Sequence, residues 1–407
     1  MGHGISVMWK TVSNTCNMAC DYCYFEGSST QRITETRIPL PVLDKFMQDY
    51  MEGTDGVASF AWQGGEPLLA GIEFFYQVIE LQAKYAPPHT RISNALQTNG
   101  TLINEQWAHL FKQYNFLIGV SLDGPRDMHN RHRPMGSGHG SFDSVMQGIS
   151  WLRRYNVDFN ILTVVHAANV NHVDELLSFY EQEGFDYLQF IPCMDFTARS
   201  NQQSVSYAIT PEQYGNFLCR AFDRWIGKGR PTTSIRFFDN LLSAYVNHRM
   251  ESCIHSAACS KTLILESNGD AYPCDFYMGE AYRLGNVATD SLDDILNHPA
   301  YKQFHSLKRQ LPEACKSCEY LSLCHGGCPR NRTYIDTTQP VSQDYFCASY
   351  RQIYAYAHDR LQKLAHAIRR DWKLQYTASG RPLPERNALC YCGSGRKYKH
   401  CCLEVRV

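Results

Sequence analysis

The chain has 407 residues, and its 39 Lys and Arg against 40 Asp and Glu leave a net charge of −1. That balance excludes a chain-wide field for nucleic acid or an acidic membrane surface. A hydrophobic content of 44% excludes a disordered chain, and no apolar run reaches the roughly 18 residues of a membrane span. The length allows roughly two or three domains. The unusual number is 17 cysteines.

The first ten residues, MGHGISVMWK, lack the positive stretch and apolar core of a secretory signal. We therefore expect a cytoplasmic protein. In reducing cytosol, closely spaced cysteines are more often metal ligands than disulfide partners. We interpret the cysteine spacings accordingly, and we expect neither a membrane nor a nucleic acid as partner.

Apolar β-type runs alternate with amphipathic helical stretches up to about residue 235. The predicted strands are 5–12, 57–62, 92–97, 116–121, 158–165 and 187–191. The predicted helices are 72–85, 103–114, 141–155, 171–184 and 211–227. Repeated β-then-α order predicts a parallel sheet or barrel, with functional loops at the C-terminal ends of the strands.

The pattern changes after residue 235, where Gly is frequent and the helical and strand signals are short. A helix-like run at 342–373 is followed by the linker sequence TASGRPLPERN and a small tail. Residues 361–407 hold ten Lys and Arg against three Asp and Glu, so this end carries +7 and the rest −8. We divide the chain into three domains, 1–235, 236–375 and 376–407.

The first cysteine set is Cys16-x3-Cys20-x2-Cys23, directly after the first strand. Three thiolates on one loop can hold three corners of a 4Fe–4S cluster, which leaves the fourth iron open to a substrate or cofactor. A zinc site wants a fourth ligand, for which His3 is a poor candidate. Zinc and three unconnected buried cysteines are the alternatives.

The second set has eight cysteines, enough for two fully ligated clusters or for two tetrahedral zinc ions. Its members are Cys253, Cys259, Cys274, Cys315, Cys318, Cys324, Cys328 and Cys347. The third set is Cys390, Cys392, Cys401 and Cys402 in the tail. Two thiolates on a Gly-Ser-Gly turn and two after a basic stretch can close a zinc tetrahedron, with His400 as an alternative ligand. The basic face (Arg396, Lys397, Lys399) suits a protein partner, and a stabilising clip is the alternative.

The first set, together with the strand-end sequence Gly64-Gly65-Glu66-Pro67, resembles the radical S-adenosylmethionine superfamily. The resemblance implies a partial TIM-like (β/α)6 barrel. It also implies a 4Fe–4S cluster whose open iron chelates S-adenosylmethionine, and cleavage of that cofactor to a 5′-deoxyadenosyl radical. We expect the two glycines to let the backbone approach the methionine amino group.

The spacing of the second set resembles the SPASM extension, which carries two auxiliary 4Fe–4S clusters. The resemblance assigns one cluster to Cys253, Cys259, Cys274 and Cys328. It assigns the other to Cys315, Cys318, Cys324 and Cys347. The third set resembles the SEC-C zinc motif. The implied cofactors are therefore three [4Fe-4S] clusters, S-adenosylmethionine and a zinc ion.

Residues 5–370 resemble the anaerobic sulfatase-maturating enzymes through strings such as SFAWQGGEPLLAG, GVSLDGP and LQFIPCMD. The resemblance implies an oxidoreductase that converts a Cys or Ser of an unfolded sulfatase segment to Cα-formylglycine. Its peptide motif would resemble Cys/Ser-x-Pro/Ala-x-Arg, and a flavodoxin or ferredoxin would be the reductant. Asp275 corresponds to the proton acceptor of that family, and a structural salt bridge is the alternative.

The family pattern also suggests which residues contact S-adenosylmethionine, with a scaffold role as the alternative at each position. Ser121 and Arg133 suit the ribose and the carboxylate, because Arg offers a fixed fork of donors. Tyr22 and Met194 would flank the adenine. The remaining assigned positions are Gly65 and Gln63, the latter orienting substrate or cofactor.

Two other functions fit part of the pattern. A SPASM enzyme that forms thioether or carbon–carbon crosslinks in a precursor peptide often begins with a peptide-binding winged helix. The first cluster cysteine is residue 16, which leaves no room for such a segment, so we favour sulfatase maturation. A non-enzymatic adaptor with structural metals is disfavoured by the open coordination site of the first set.

Overall fold

The computed structural model describes residues 4–25, 37–194, 206–246, 250–332, 342–403 and 405. The chain divides into two compact units. Unit 1 comprises Met1–Asn169, Ile191–Ile209 and Ser260–Leu307. Unit 2 comprises Val170–Phe190, Thr210–Cys259 and Lys308–Val407.

The secondary structure alternates between strands and helices through the first half of the chain. The strands of the described residues are β1 (Ser6–Lys10), β2 (Val57–Gln63), β3 (Arg91–Thr98), β4 (Leu117–Ser121), β5 (Phe159–Val165), β6 (Tyr187–Pro192), β7 (Ser234–Ile235), β8 (Thr262–Leu265), β9 (Asp270–Tyr272) and β10 (Gly285–Asn286). The helices are α1 (Leu40–Glu52), α2 (Ile72–Tyr85), α3 (Glu105–Gln113), α4 (Arg126–His132), α5 (Phe142–Arg154), α6 (Val173–Gln182), α7 (Pro211–Ile226), α8 (Arg236–Tyr245), α9 (Leu292–Asn297), α10 (Pro299–Leu307), α11 (Glu313–Lys316), α12 (Leu321–Cys324), α13 (Pro329–Arg332) and α14 (Cys347–Ala378).

Unit 1 is built on a sheet with the strand order β10-β9-β8-β1-β2-β3-β4-β5. Strands β1 to β5 pair in parallel with their chain neighbours, and β8 joins the other side of β1 in parallel. Strand β9 is antiparallel to both β8 and β10. The parallel strands end at one edge of the sheet, so the loops that follow β1 to β5 meet there.

The core of unit 1 is rich in aromatic rings. Trp9 of β1 and Trp62 of β2 are fully buried. The ring of Trp62 meets Phe75 of α2 edge-on at 5.7 Å, and Phe75 meets Trp107 of α3 at 5.4 Å. Such edge-to-face pairs add to the free energy gained by burying apolar surface. The helices thus hold the sheet from which the functional loops emerge.

Unit 2 is organised by α7 and α14. Helix α7 begins with a capping box, in which Thr210 and Gln213 each accept a hydrogen bond from the other's backbone N–H. The buried face of α7 packs on the start of α14, where the rings of Tyr214 and Phe346 lie 5.1 Å apart. Helix α14 buries residues as far as Ala365 and then continues without a buried residue to Ala378.

The parallel β/α order predicted from the sequence is confirmed, and β1 to β6 lie within a few residues of their predicted bounds. The run predicted as helical at 342–373 forms α14, which begins five residues later and extends into the predicted linker. Helices α1, α4 and α8 escaped prediction. Within the described residues, no helix combines the length and apolar character that crossing a membrane would need.

Candidate active site and metal centres

The first cysteine set lies on the loop that follows β1. Cys16 is exposed, whereas Cys20 and Cys23 are partly buried. The backbone N–H of Met18 donates to Cys16 Sγ at 3.4 Å. Burial raises the pKa of the Cys20 thiol to about 11, and the nearby Cys23 and Cys16 act in the same direction. Three sulfurs that disfavour one another's ionisation fit a site where a bound metal cluster holds them as thiolates.

Gly64 and Gly65, directly after β2, let this loop lie against the end of the strand. Both have positive φ, 90° and 52°. A Cβ on Gly65 would overlap the backbone of Thr15, and one on Gly64 would lie 2.9 Å from the Ser13 carbonyl. Glycine at these two positions therefore allows the cysteine loop to lie close to the end of β2.

Glu66 ties the ends of β2 and β3 together. Its carboxylate accepts hydrogen bonds from the Thr98 hydroxyl at 2.7 Å, from the Asn99 N–H at 2.7 Å and from the Leu68 N–H at 3.1 Å. The Glu66 N–H donates to the Thr15 carbonyl at 2.9 Å. Burial raises the pKa of Glu66 to about 6. The GGEP sequence thus fixes the cysteine loop through its backbone and the next strand through its side chain.

Tyr22 and Arg133, both predicted to contact S-adenosylmethionine, belong to one buried network. The Tyr22 hydroxyl donates to Asp123 and accepts from Arg133 Nη1 at 2.9 Å. Burial alone would raise the pKa of Asp123, but the hydrogen bond from His166 and the charge of Arg133 bring it well below its usual range. The Tyr22 ring stacks on His166 at 5.7 Å. The negative charge of Asp123 and the positive charge of Arg133 therefore compensate each other in this buried network.

The other predicted cofactor contacts also lie in unit 1. Ser121 ends β4, and its hydroxyl accepts a hydrogen bond from Gln97 Nε2 at 3.1 Å. Met194 is buried, shortly after β6. Gly65 lies beneath the cysteine loop. Gln63 Nε2 donates to the Tyr24 hydroxyl at 3.1 Å.

Asp275 lies in a second polar group within unit 1. The Tyr24 hydroxyl donates to Asp275 Oδ2 at 2.5 Å, and the Lys10 ammonium forms an ion pair with Oδ1. Lys10 is only 1% exposed, and its ammonium lies 3.7 Å from the centre of the Phe25 ring. Gln63, Tyr24, Lys10 and Asp275 therefore form a connected chain of polar groups.

The sequence interpretation gave no role to four polar residues of these networks: Lys10, Tyr24, Asp123 and His166. Lys10 is the last residue of β1, His166 directly follows β5, and Asp123 lies two residues after the end of β4. The expectation of functional loops at the C-terminal ends of parallel strands covers these three positions, but it does not identify which side chains interact.

Four cysteines of the second set line one cavity in unit 2. They are Cys315, Cys318, Cys324 and Cys347, the group predicted to share a cluster. Burial, together with the nearby Cys315 and Cys318, raises the pKa of Cys347 to about 11. A cavity walled by four thiols fits a fully ligated cluster.

Three other cysteines of the second set form a separate group in unit 2. Burial raises the pKa of Cys259 to about 11, Lys308 lowers it, and Cys328 and Cys253 raise it. Cys274, the fourth ligand predicted for this group, follows β9 in unit 1 and directly precedes Asp275.

The tail brings its four cysteines together. Their Sγ atoms all lie within 4.8 Å of one another, with Cys392 and Cys401 only 3.4 Å apart. Cys390 and Cys402 are buried, as is Tyr398 beside them. The group fits one tetrahedral ion without a ligand from His400.

The tail is attached to the end of α14. The ring of Tyr391 stacks on Tyr376 at 4.7 Å. The Lys373 ammonium donates to the Val405 carbonyl at 2.6 Å. The last turns of α14 therefore serve as the platform on which the tail folds.

Known protein families match three parts of the chain. The radical SAM superfamily matches residues 11–180, the SPASM iron–sulfur cluster-binding domain matches 253–319, and the SEC-C motif matches 386–404. The chain is therefore a radical SAM enzyme with a SPASM domain, and these domains bind iron–sulfur clusters and S-adenosylmethionine.

Relatives match nearly the whole chain. The cysteine-type anaerobic sulfatase-maturating enzyme of Clostridium perfringens (strain 13 / Type A) is 35% identical over 369 residues, 90% of this chain and 99% of the relative. The serine-type enzyme of Bacteroides thetaiotaomicron is 33% identical over 365 residues, 86% of this chain and 88% of the relative. The solved structure of native anSMEcpe with bound AdoMet and Cp18Cys peptide superposes with a TM-score of 0.83 at 34% identity, covering 89% of this chain and 99% of the other.

Replacing Gly65 tests the contact between the cysteine loop and β2. We expect Gly65→Ala to displace Thr15 and the loop, so that anaerobically purified protein falls from about twelve to about eight irons per chain. Gly71→Ala is the matched control, because Gly71 also has a positive φ, 86°, but nothing lies within 4 Å of its added Cβ. Iron and sulfide analysis reads out both. A Gly65→Ala protein with a full complement of iron would contradict the assignment.

Proposed function

Because the chain belongs to the anaerobic sulfatase-maturating enzymes of the radical SAM superfamily, we propose that it converts a Cys or Ser of a sulfatase to Cα-formylglycine. The observation that carries the proposal is the polar group around Asp275, beside the predicted cluster ligand Cys274. There the Lys10 ammonium and the Tyr24 hydroxyl hold a carboxylate. The solved relative with AdoMet and a peptide supports a peptide substrate.

The predicted cofactors are three [4Fe-4S] clusters and S-adenosylmethionine. With these groups bound, the site has a 5′-deoxyadenosyl radical to take a hydrogen atom and auxiliary clusters to take an electron. Tyr22, Gln63, Gly65, Ser121, Arg133 and Met194 are the proposed contacts to S-adenosylmethionine. The buried Arg133 suits the carboxylate of the cofactor because its guanidinium remains charged.

The conversion removes two hydrogens from the substrate side chain. One leaves Cβ as a hydrogen atom, for which a 5′-deoxyadenosyl radical would be the acceptor. The other leaves the thiol or hydroxyl as a proton, and an auxiliary cluster, where bound, would accept the remaining electron. Asp275 receives the proton, while Lys10 and Tyr24 hold its carboxylate in place. A serine yields the aldehyde directly. For a cysteine, water then replaces the sulfur and hydrogen sulfide leaves.

The substrate would be an extended, unfolded segment resembling Cys/Ser-x-Pro/Ala-x-Arg, because the reacting side chain must reach a radical inside the protein. A flavodoxin or ferredoxin would supply the electron that starts each cycle. These partners are consistent with a cytoplasmic enzyme that acts before the sulfatase folds.

We further propose that the tail binds one zinc ion through Cys390, Cys392, Cys401 and Cys402. The support is the convergence of four Sγ atoms in a segment too small to fold on a hydrophobic core. The basic face of Arg396, Lys397 and Lys399 would contact a protein partner.

The zinc proposal predicts a local effect of losing one ligand. We expect Cys392→Ser to lose about one zinc per chain while the iron content stays unchanged. Cys219→Ser is the control, because Cys219 lies on α7, outside the three cysteine sets. Metal analysis of both variants decides, and an unchanged zinc content in Cys392→Ser would contradict the proposal.

The direct test of function is anaerobic incubation with S-adenosylmethionine, a reductant and a Cys-x-Pro-x-Arg peptide, followed by mass spectrometry. An aldehyde product supports formylglycine formation. A crosslinked peptide with release of 5′-deoxyadenosine would favour the second candidate, a SPASM enzyme that crosslinks a precursor peptide.

Asp275 gives the sharpest mutational prediction. Asp275→Asn should retain the clusters but lose about 100-fold or more of aldehyde formation, because positioned acid–base groups contribute about 10²–10⁴-fold. Asp293→Asn on α9 is the matched control. Full activity in Asp275→Asn would remove this carboxylate from the mechanism.

Tyr24→Phe tests how the carboxylate is held. Removing a hydrogen bond to a charged group costs about 1.5 kcal/mol, which corresponds to about a tenfold slower reaction. We expect this smaller loss at unchanged iron content, measured in the same peptide assay. A loss as large as that of Asp275→Asn would instead give Tyr24 a direct part in proton transfer.

A further inference from the structure

Lys308 is a buried lysine of unit 2 that the proposed mechanism does not use. It directly follows α10 and is 2% exposed. Its ammonium donates to the carbonyls of Ile254, at 3.0 Å, and Gly327. A buried ammonium is costly unless hydrogen bonds and an opposite charge compensate it.

Both acceptor carbonyls belong to neighbours of predicted cluster ligands. Ile254 follows Cys253, and Gly327 precedes Cys328. The ammonium therefore joins the two backbone segments that present these sulfurs. The two carbonyls satisfy hydrogen bonds of the Lys308 ammonium, but they carry no net charge that would neutralise it.

The structure also shows which negative groups face that charge. In the described part of the chain, no carboxylate lies within ion-pair distance of Lys308. Burial lowers the pKa of Lys308, the thiols of Cys328, Cys259 and Cys253 raise it, and the Arg332 guanidinium lowers it. Asp344 also interacts with Lys308, but its carboxylate accepts hydrogen bonds from the backbone N–H groups of Cys328 and Phe346.

We propose that Lys308 is the buried counter-charge of the auxiliary cluster held by Cys253, Cys259 and Cys328, and that it raises the reduction potential of that cluster. This inference rests on the proposed function in taking these cysteines as 4Fe–4S ligands. A thiolate-ligated cluster becomes more negative when it is reduced. A fixed positive charge beside it therefore stabilises the reduced form more than the oxidised form.

Lys308 acts unequally on the two cysteine groups. It is the first-ranked charge that lowers the pKa of Cys259, whereas for Cys324 its influence ranks behind those of Asp344, Cys347 and the hydrogen bond from the Gly326 N–H. We therefore expect removal of this charge to shift the potential of the cluster held by Cys253, Cys259 and Cys328 (the Cys253 group) by more than that of the other auxiliary cluster.

The test is an EPR-monitored redox titration of the full chain with Cys16, Cys20 and Cys23 replaced by Ala, which removes the first cluster. A Cys259→Ser change alters one ligand of the cluster held by Cys253, Cys259 and Cys328, and so identifies the redox wave of that cluster in the titration. Lys308→Gln keeps a donor for the carbonyls but removes the charge, and should move that wave to more negative potential by more than the other wave. Lys308→Arg should leave it nearly unchanged, as should Lys302→Met, which removes an exposed charge on α10.

An assembled Lys308→Gln cluster with an unchanged potential overturns the proposal. A second measurement applies if that variant takes up no iron. In the iron-free protein the ammonium lacks its counter-charge, so Lys308→Gln, which keeps a donor for the two carbonyls, should raise the denaturant midpoint of unfolding, and a lowered midpoint overturns the proposal. The titration requires no sulfatase peptide, so it remains decisive if the peptide assay fails. Zinc instead of iron at these cysteines would overturn both the proposal for Lys308 and the assignment of an iron–sulfur cluster to them.

Discussion

The contact between two pieces of backbone, at Thr15 and Gly65, is the constraint on which the site depends. The cysteine loop lies so close to the end of β2 that a Cβ at Gly65 would overlap it. The hydrogen bond from the Glu66 N–H to the Thr15 carbonyl holds the two segments together, and the Glu66 carboxylate extends the connection to β3. Contacts with the ends of β2 and β3 thus help to fix the position of the loop.

Around this contact, the protein keeps charged side chains away from water and gives each one a defined counterpart. Arg133 faces Asp123 through Tyr22, and Lys10 faces Asp275. Such pairs add little net stability, because the loss of hydration offsets their attraction. Their value lies in fixing the orientation of these side chains, because a buried charge that leaves its partners would face an uncompensated loss of hydration.

The sequence was most informative where chemistry depends on spacing along the chain. The cysteine sets, the GGEP turn and the β/α order follow from local patterns. The described structure brings the four tail sulfurs together and lines one cavity with Cys315, Cys318, Cys324 and Cys347. Pairs distant in sequence escaped prediction, since nothing near Lys10 indicates a partner at Asp275. For Gly65 the structure shows a neighbour that the sequence did not indicate, the backbone of Thr15, because a glycine in sequence shows only that space is short and not which neighbour fills it.

Helix α14 is one continuous element that connects a predicted cluster ligand to the cysteine-rich tail. It begins at Cys347, a predicted cluster ligand, and its last turns carry Tyr376, on which the tail stacks. At 1.5 Å per residue, its 32 residues make a rod about 48 Å long. A protein bound by the tail would therefore be held at a set distance from Cys347, given by the length of the helix. Such an arrangement suits delivery of a client chain better than participation in the chemistry.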